Sequence, residues 1–186
     1  MAYRNGTYVA FAADGAVNIM TSDIKYYRLL TGWNLMKNRD FKLINSHEKG
    51  PSLRKGSLEE TIKRTLRVRL DESSRLLLLV GNTTRFDDDF VPYEIRYAID
   101  TCGLPVIVCY LNERNRILST DNYEYLLPQI LKDRIKSGLV KTIHIPFRQK
   151  ILNQALNDFN HNLHPSYNSS VFTNNTYNKL YPNNDI

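Results

Sequence analysis

The sequence predicts an α/β domain built on an open, mostly parallel sheet with helices on both faces. Two observations carry this. Short β-branched or apolar runs alternate with stretches of helical periodicity along residues 7–111. Within them, Leu76-Leu77-Leu78-Leu79-Val80 is apolar at every position, as a strand covered on both faces must be. Sustained β/α alternation requires right-handed crossovers and puts a ligand crevice beyond the carboxyl ends of the strands.

The elements follow in order. Residues 7–12 (Thr-Tyr-Val-Ala-Phe-Ala) read as a buried strand closed by Ala13-Asp14-Gly15. Over 23–36, Ile24, Tyr27, Leu30 and Met36 recur at helical spacing with Trp33 near the same line, and Gly32 weakens that helix without excluding it. Residues 41–45 are a short second strand, and 46–56 form a long polar loop of the kind that often carries function. Ser57 and Glu60 then make a capping box, opening a helix that lines up Leu58, Ile62 and Leu66. The central strand, 75–80, is closed by Gly81-Asn82-Thr83-Thr84. An N-cap aspartate from Asp87-Asp88-Asp89 and the first-turn Pro92 start the next helix, with Ile95, Ala98 and Ile99 inward and Gly103 at its end. Residues 104–111 form another buried strand, with its proline near the start, where a strand tolerates it.

Beyond residue 112 the pattern is less regular. There is an excursion at 123–128, a helix near 129–137, a final edge strand at 140–145 and a last helix at about 146–159 that buries Ile151, Leu152, Ala155, Leu156 and Phe159. This gives one domain over 1–160, with a core at 6–112 and a less regular part at 113–160. Residues 161–186 are an asparagine-rich tail with isolated tyrosines, loose or docked.

Composition narrows the function. A chain of 186 residues, 42% hydrophobic and 24% charged, suits one globular domain. No run approaches the roughly 20 apolar residues of a membrane span, and the opening Met-Ala-Tyr-Arg-Asn-Gly lacks the apolar core of a signal peptide, so a cytosolic location without membrane partners is expected. Cys102 and Cys109 suit reduced, partly buried thiols. The net charge of +6 raises the question of nucleic acid, but Lys63, Arg64, Arg67 and Arg69 read as the solvated face of one helix, and no nucleic-acid-binding motif accompanies them. A positive surface equally attracts an anionic nucleotide.

Several chemistries drop out. No G-x-G-x-x-G follows the first strand and no Walker-type loop or G-x-S-x-G elbow is present. His47, His144, His161 and His164 do not combine with the cysteines at zinc spacing, so neither a metal nor a prosthetic group is expected. The Asp87-Asp88-Asp89 triplet reads as capping rather than a cation site. Trp33 with the Tyr26-Tyr27 pair reads as packing rather than a base-stacking platform, and Tyr93 likewise as packing. Glu94 is the carboxylate to single out, early in the helix behind the central strand and its glycine loop; an acid favoured by the helix dipole is the competing reading.

The strand Tyr8-Val9-Ala10-Phe11, the helix from Ser57, the run Leu79-Val80-Gly81-Asn82-Thr83-Thr84 and then Phe90-Val91-Pro92-Tyr93-Glu94-Ile95 resemble the prokaryotic TIR-like proteins, in particular the TIR-like subunit of Thoeris antiphage systems. The resemblance covers about residues 6–112 and implies a flavodoxin-like TIR sheet. In that family the motif is commonly W-V-x-Y-E, with the glutamate cleaving NAD; Glu94 matches it and Phe90 stands for the tryptophan. The resemblance further implies that Phe11, Ala12, Ala13, Ser46 and His47 flank the nucleotide pocket, with NAD as substrate and no prosthetic cofactor. It also implies a homo-oligomer contacted through the 46–56 loop, which as a sequence reads equally as a solvated surface loop, and an ADP-ribose-derived messenger that acts on a separate effector. A non-catalytic TIR-like adaptor and a nucleoside N-glycosidase or deoxyribosyltransferase-like enzyme stay open as alternatives.

Overall fold

The structure, a computed structural model, describes residues 6–12, 24–35, 42–45, 59–88 and 90–182. Six strands, β1 (Gly6–Ala10), β2 (Lys42–Asn45), β3 (Ser73–Val80), β4 (Val106–Tyr110), β5 (Thr142–Pro146) and β6 (Ser169–Val171), form one parallel sheet in the order β2-β1-β3-β4-β5-β6. The helices are α1 (Ile24–Leu35), α2 (Glu59–Asp71), α3 (Phe90–Arg96), α4 (Gln129–Lys136), α5 (Gln149–Asp158) and α6 (Asn174–Leu180). This is the open α/β sheet that the alternation predicts.

Strand alternation divides the core in two. Leu76, Leu78 and Val80 join Tyr8, Ala10, Val106, Val108 and Tyr110 beneath α2, α3 and α4. Leu77 and Leu79 join Val9, Phe11, Ile107 and Cys109 beneath α1, α5 and α6. All eight residues of β3 are buried. Its one charged residue, Arg75, donates to the Leu156 carbonyl in the last turn of α5 and to the Ser74 hydroxyl, so the cation meets the negative end of a helix; desolvation holds its pKa below the usual value. Cys102 and Cys109 are buried thiols that form no disulfide; Cys102 Sγ donates to Asp71 at 3.4 Å, and burial pushes the Cys109 thiol upward.

Helix α3 runs into a π-helical turn at Tyr97–Thr101, where the Cys102 N–H reaches back to the Tyr97 carbonyl at 3.1 Å. Gly103 follows at φ +65°, the left-handed conformation that ends helices. Ser57 and Leu58, the 46–56 loop, Met36 and Phe41 lie outside the described residues.

One expectation is overturned. The strand expected at 140–145 does not close the sheet: β5 is an inner strand, and β6 pairs with it from Thr142↔Ser169 to His144↔Val171. An uncovered β5 would leave a row of backbone donors and acceptors unpaired; the tail satisfies them, beginning with the Thr142 N–H on the Asn168 carbonyl at 2.9 Å. Three residues, Ser-Ser-Val, are too short and too polar to announce a strand. The helix expected from 146 starts at Gln149, because Pro146 is the last residue of β5, opposite Tyr110.

The tail is docked. In α6, Tyr177 is 1% exposed and its hydroxyl accepts the Ile117 N–H at 3.3 Å; Tyr181, just past the helix, accepts the Ile151 N–H at 3.2 Å. Arg116 binds the side-chain oxygens of Asn174 and Asn178 at 2.9 and 2.6 Å. Each tyrosine supplies apolar area and a partner for a backbone donor.

His144 is 1% exposed, with Nδ1 2.8 Å from the Tyr110 hydroxyl and Nε2 3.0 Å from Thr142 Oγ1. Burial pushes its pKa down to about 4, so the ring is neutral in the folded chain. An unfolded histidine titrates near ~6.5, so the unfolded chain takes up the proton first as pH falls. The contribution is intact above that pH and is lost as pH drops from about 6.5 toward 4. Urea titrations are expected to show a loss of about 2 kcal/mol between pH 7.5 and 5 that His144→Asn removes from the pH dependence.

The glycines give opposite expected signs. Gly103→Ala meets no atom within 4 Å but keeps the +65° backbone, and should cost about 1 kcal/mol. Gly32→Ala, inside α1 and also without a neighbour within 4 Å, should stabilise by up to about 1 kcal/mol. Denaturation midpoints moving in opposite directions are the check.

Candidate functional site

With order β2-β1-β3-β4-β5, the chain leaves β1 toward one side of the sheet and returns to build β3 on the other. The carboxyl ends of β1 and β3 therefore flank a topological switch point, the place where open α/β sheets form a crevice. Helix α3 descends from the β3 side of that point.

The loop that leads into α3 is locked by its own residues. The Gly81 N–H donates to Thr84 Oγ1 at 2.8 Å, and Thr84 is fully buried at the start of a 3-10 turn, Thr84–Phe86. This explains the Gly-x-x-Thr spacing: the threonine hydroxyl satisfies the first backbone donor beyond the strand. Asp87 accepts the Val91 N–H at 3.2 Å, the role expected of an aspartate at this helix start. Pro92 occupies the first turn, where its missing N–H costs nothing.

Glu94 is 2% exposed and accepts a hydrogen bond of 2.5 Å from the Tyr8 hydroxyl. Tyr8 lies on β1, two residues before the strand's end at Ala10. The carboxylate thus joins α3 to β1 beside the switch point, at a residue two positions before the strand's end. A phenol donating to a carboxylate is a strong, short bond that fixes its orientation. Tyr93, the neighbour of Glu94, turns to α2: its hydroxyl accepts from Arg67 at 3.3 Å and its ring lies 5.1 Å from Lys63 Nζ.

The other sequence-predicted residues divide. Phe11 is 2% exposed and stacks on Tyr27 at 5.3 Å beneath α1, so its ring belongs to the opposite face from Glu94. Ala12 is buried directly beyond β1. Ala13, Ser46 and His47 lie outside the described residues. Among the described residues no group of three or more histidines, cysteines and acids is placed to hold a metal.

The carboxyl edge carries polar residues that the motif does not include. Asn82 accepts from Asn112 at 3.3 Å, joining the ends of β3 and β4. Glu113 accepts from the N–H groups of Arg114 and Asn115 and from the Tyr123 hydroxyl at 2.8, 2.6 and 2.8 Å. Burial pushes its carboxylate upward, yet the bonds from Asn115, Tyr123 and Arg114 together hold it below the usual range. These side chains line a cavity of about 160 Å³. Asn82 belongs to the Gly81–Thr84 run, whereas Asn112 and Glu113 have no sequence signal beyond their position after a buried strand.

The sequence family described as "Thoeris protein ThsB, TIR-like domain" matches residues 8–116, the segment that runs from within β1 through β4 and holds Tyr8 and Glu94. Among solved structures, the crystal structure of a conserved protein from Enterococcus faecalis V583 is similar, at 16% identity and a TM-score of 0.46, covering 82% of this chain and 98% of that chain.

Replacing Thr84 with valine leaves the Gly81 N–H buried without its acceptor, and should cost about 1–3 kcal/mol in urea unfolding. Thr84→Ser keeps the oxygen and should recover most of that loss.

Proposed function

The chain belongs to the family of TIR-like domains of the Thoeris protein ThsB, and from that premise we propose that it acts in antiphage defence by cleaving NAD at the bond between nicotinamide and ribose. The observation that carries the reading is the buried Glu94 carboxylate, oriented by Tyr8 at the switch point of the sheet.

The chemistry asks little of an acid. Nicotinamide in NAD is already a cationic leaving group, so the barrier lies in the oxocarbenium-like ribose that remains. A carboxylate held against that ribose offsets the developing positive charge, and a site closed to water strengthens the effect. Tyr8 contributes by holding the carboxylate in one orientation, so less reorganisation is needed as charge develops. The resemblance adds Phe11, Ala12, Ala13, Ser46 and His47 to the nucleotide pocket; of the two described ones, Ala12 lies directly beyond β1, while the Phe11 ring packs beneath α1 on the opposite face from Glu94. Capture of the ribose cation by water yields ADP-ribose; capture by an atom of the same ADP-ribose yields a cyclic isomer, a messenger for a separate effector. In this reading the reaction is cytosolic, where NAD is at hand; no described helix is long and apolar enough to cross a membrane.

A second reading draws on the same burial. A glutamate that is 2% exposed and tied to a tyrosine also suits a structural polar pair in a non-catalytic TIR-like adaptor.

Nicotinamide release by purified protein, with product mass analysis, separates the two. Glu94→Gln is expected to lower release on the order of 100-fold or more while circular dichroism stays native. Tyr8→Phe should lower it about tenfold, the equivalent of one oriented hydrogen bond. No release at any protein concentration, with NAD intact during phage infection of cells carrying the protein and its genomic neighbours, would establish the adaptor.

A further inference from the structure

On the face of the sheet opposite Glu94, α1 and the start of α5 enclose a groove of about 590 Å³ that the proposed reaction does not use. That volume lies in the range of about 300–1,000 Å³ typical of small-molecule sites. Its wall is aromatic: Trp33, which the sequence reads as packing, stacks on Phe147 at 4.9 Å, and Phe147 and Tyr26 meet in a T-shaped pair at 5.1 Å, all three bordering the groove. Its rim is cationic. Arg114, Arg148 and Lys150 all line it, and no carboxylate is among the described residues that do.

The cations are positioned, not scattered. Arg148 donates to the Arg114 carbonyl at 3.2 Å and its guanidinium lies 4.4 Å from the centre of the Tyr181 ring. Lys150 donates to the Leu180 carbonyl at 3.0 Å and lies 5.3 Å from the same ring. The docked tail therefore builds this end of the groove, with Tyr181 as a shared platform. Like charges brought together around one cavity repel, and an anion seated among them relieves the repulsion. Phe147, Arg148, Lys150 and Tyr181 lie beyond the segment 8–116 that matches the family, and they meet Tyr26, Trp33 and Arg114 from within it.

We propose that this groove is a binding site for a nucleoside monophosphate, with the base against the Trp33–Phe147 wall and the phosphate among Arg114, Arg148 and Lys150. Two features together select the ligand class. Aromatic faces take a flat ring of any base, worth about 1–3 kcal/mol per stacked base, and arginine with lysine takes a phosphate. Neither an uncharged nucleoside nor a bare phosphate uses both.

Trp33 is the sole tryptophan of the chain, so its emission reports on the groove alone. Titration of the full-length protein with AMP should quench it saturably, with adenosine and inorganic phosphate each at least about tenfold weaker. Arg114→Gln with Lys150→Gln, both at solvent-accessible positions, should weaken AMP about tenfold or more with the circular dichroism spectrum unchanged. The double variant should release nicotinamide from NAD as the parent does, which separates this site from the proposed NAD site. Calorimetry gives the same comparison without the fluorophore. The proposal is overturned by an absence of saturable response at millimolar AMP in both measurements, by equal affinity in the double variant, or by adenosine or phosphate binding as tightly as AMP. Emission that follows protein concentration instead of AMP also overturns it, and identifies the groove as a contact between copies.

Discussion

Strand β3 sets the conditions for the rest of the molecule. Its eight buried residues need cover on both faces at once, and only helices crossing over and under a parallel sheet provide it. Leu76, Leu78 and Val80 bring α2, α3 and α4 to one face; Leu77 and Leu79 bring α1 and α5 to the other. Because β3 also stands beside β1 with the chain diverging on either side, the demand for two covered faces creates the switch point.

Local chemistry then determines what stands at that point. The Gly81 to Thr84 bond turns the chain immediately beyond β3, and Asp87 starts α3 three residues before its first helical residue. These short-range bonds aim Glu94 at Tyr8 across 86 positions of sequence. A carboxylate is expensive to bury without a partner, so the tyrosine is part of the candidate site as much as the acid is.

The carboxyl-terminal third answers a different problem, that of an exposed sheet edge. β6 covers β5, and α6 seals the face behind it by hanging two tyrosines on backbone donors of the loop after β4 and of α5. The same docking brings Tyr181 under Arg148 and Lys150 and so shapes the groove between α1 and α5. Edge protection and the formation of a basic, aromatic cleft are consequences of one packing event.

What the sequence determined by itself is whatever local pattern encodes: the two-face burial of 76–80, the periodicity of the helices and the Gly103 stop; Glu94 stood out from its dipole reading only through the family resemblance of the run 79–95. The local signals are read within one turn or one strand, where residue spacing and side-chain chemistry dictate conformation. The Tyr8 partner of Glu94, the seating of Ser-Ser-Val as an edge strand, and the meeting of Arg114 with Arg148, Lys150 and Tyr181 join residues far apart in the chain. Only the tertiary structure decided these. Three residues pair as a strand because β5 presents an unsatisfied edge, and a tyrosine in an apolar strand shows its polar function only once a helix lays a carboxylate against it.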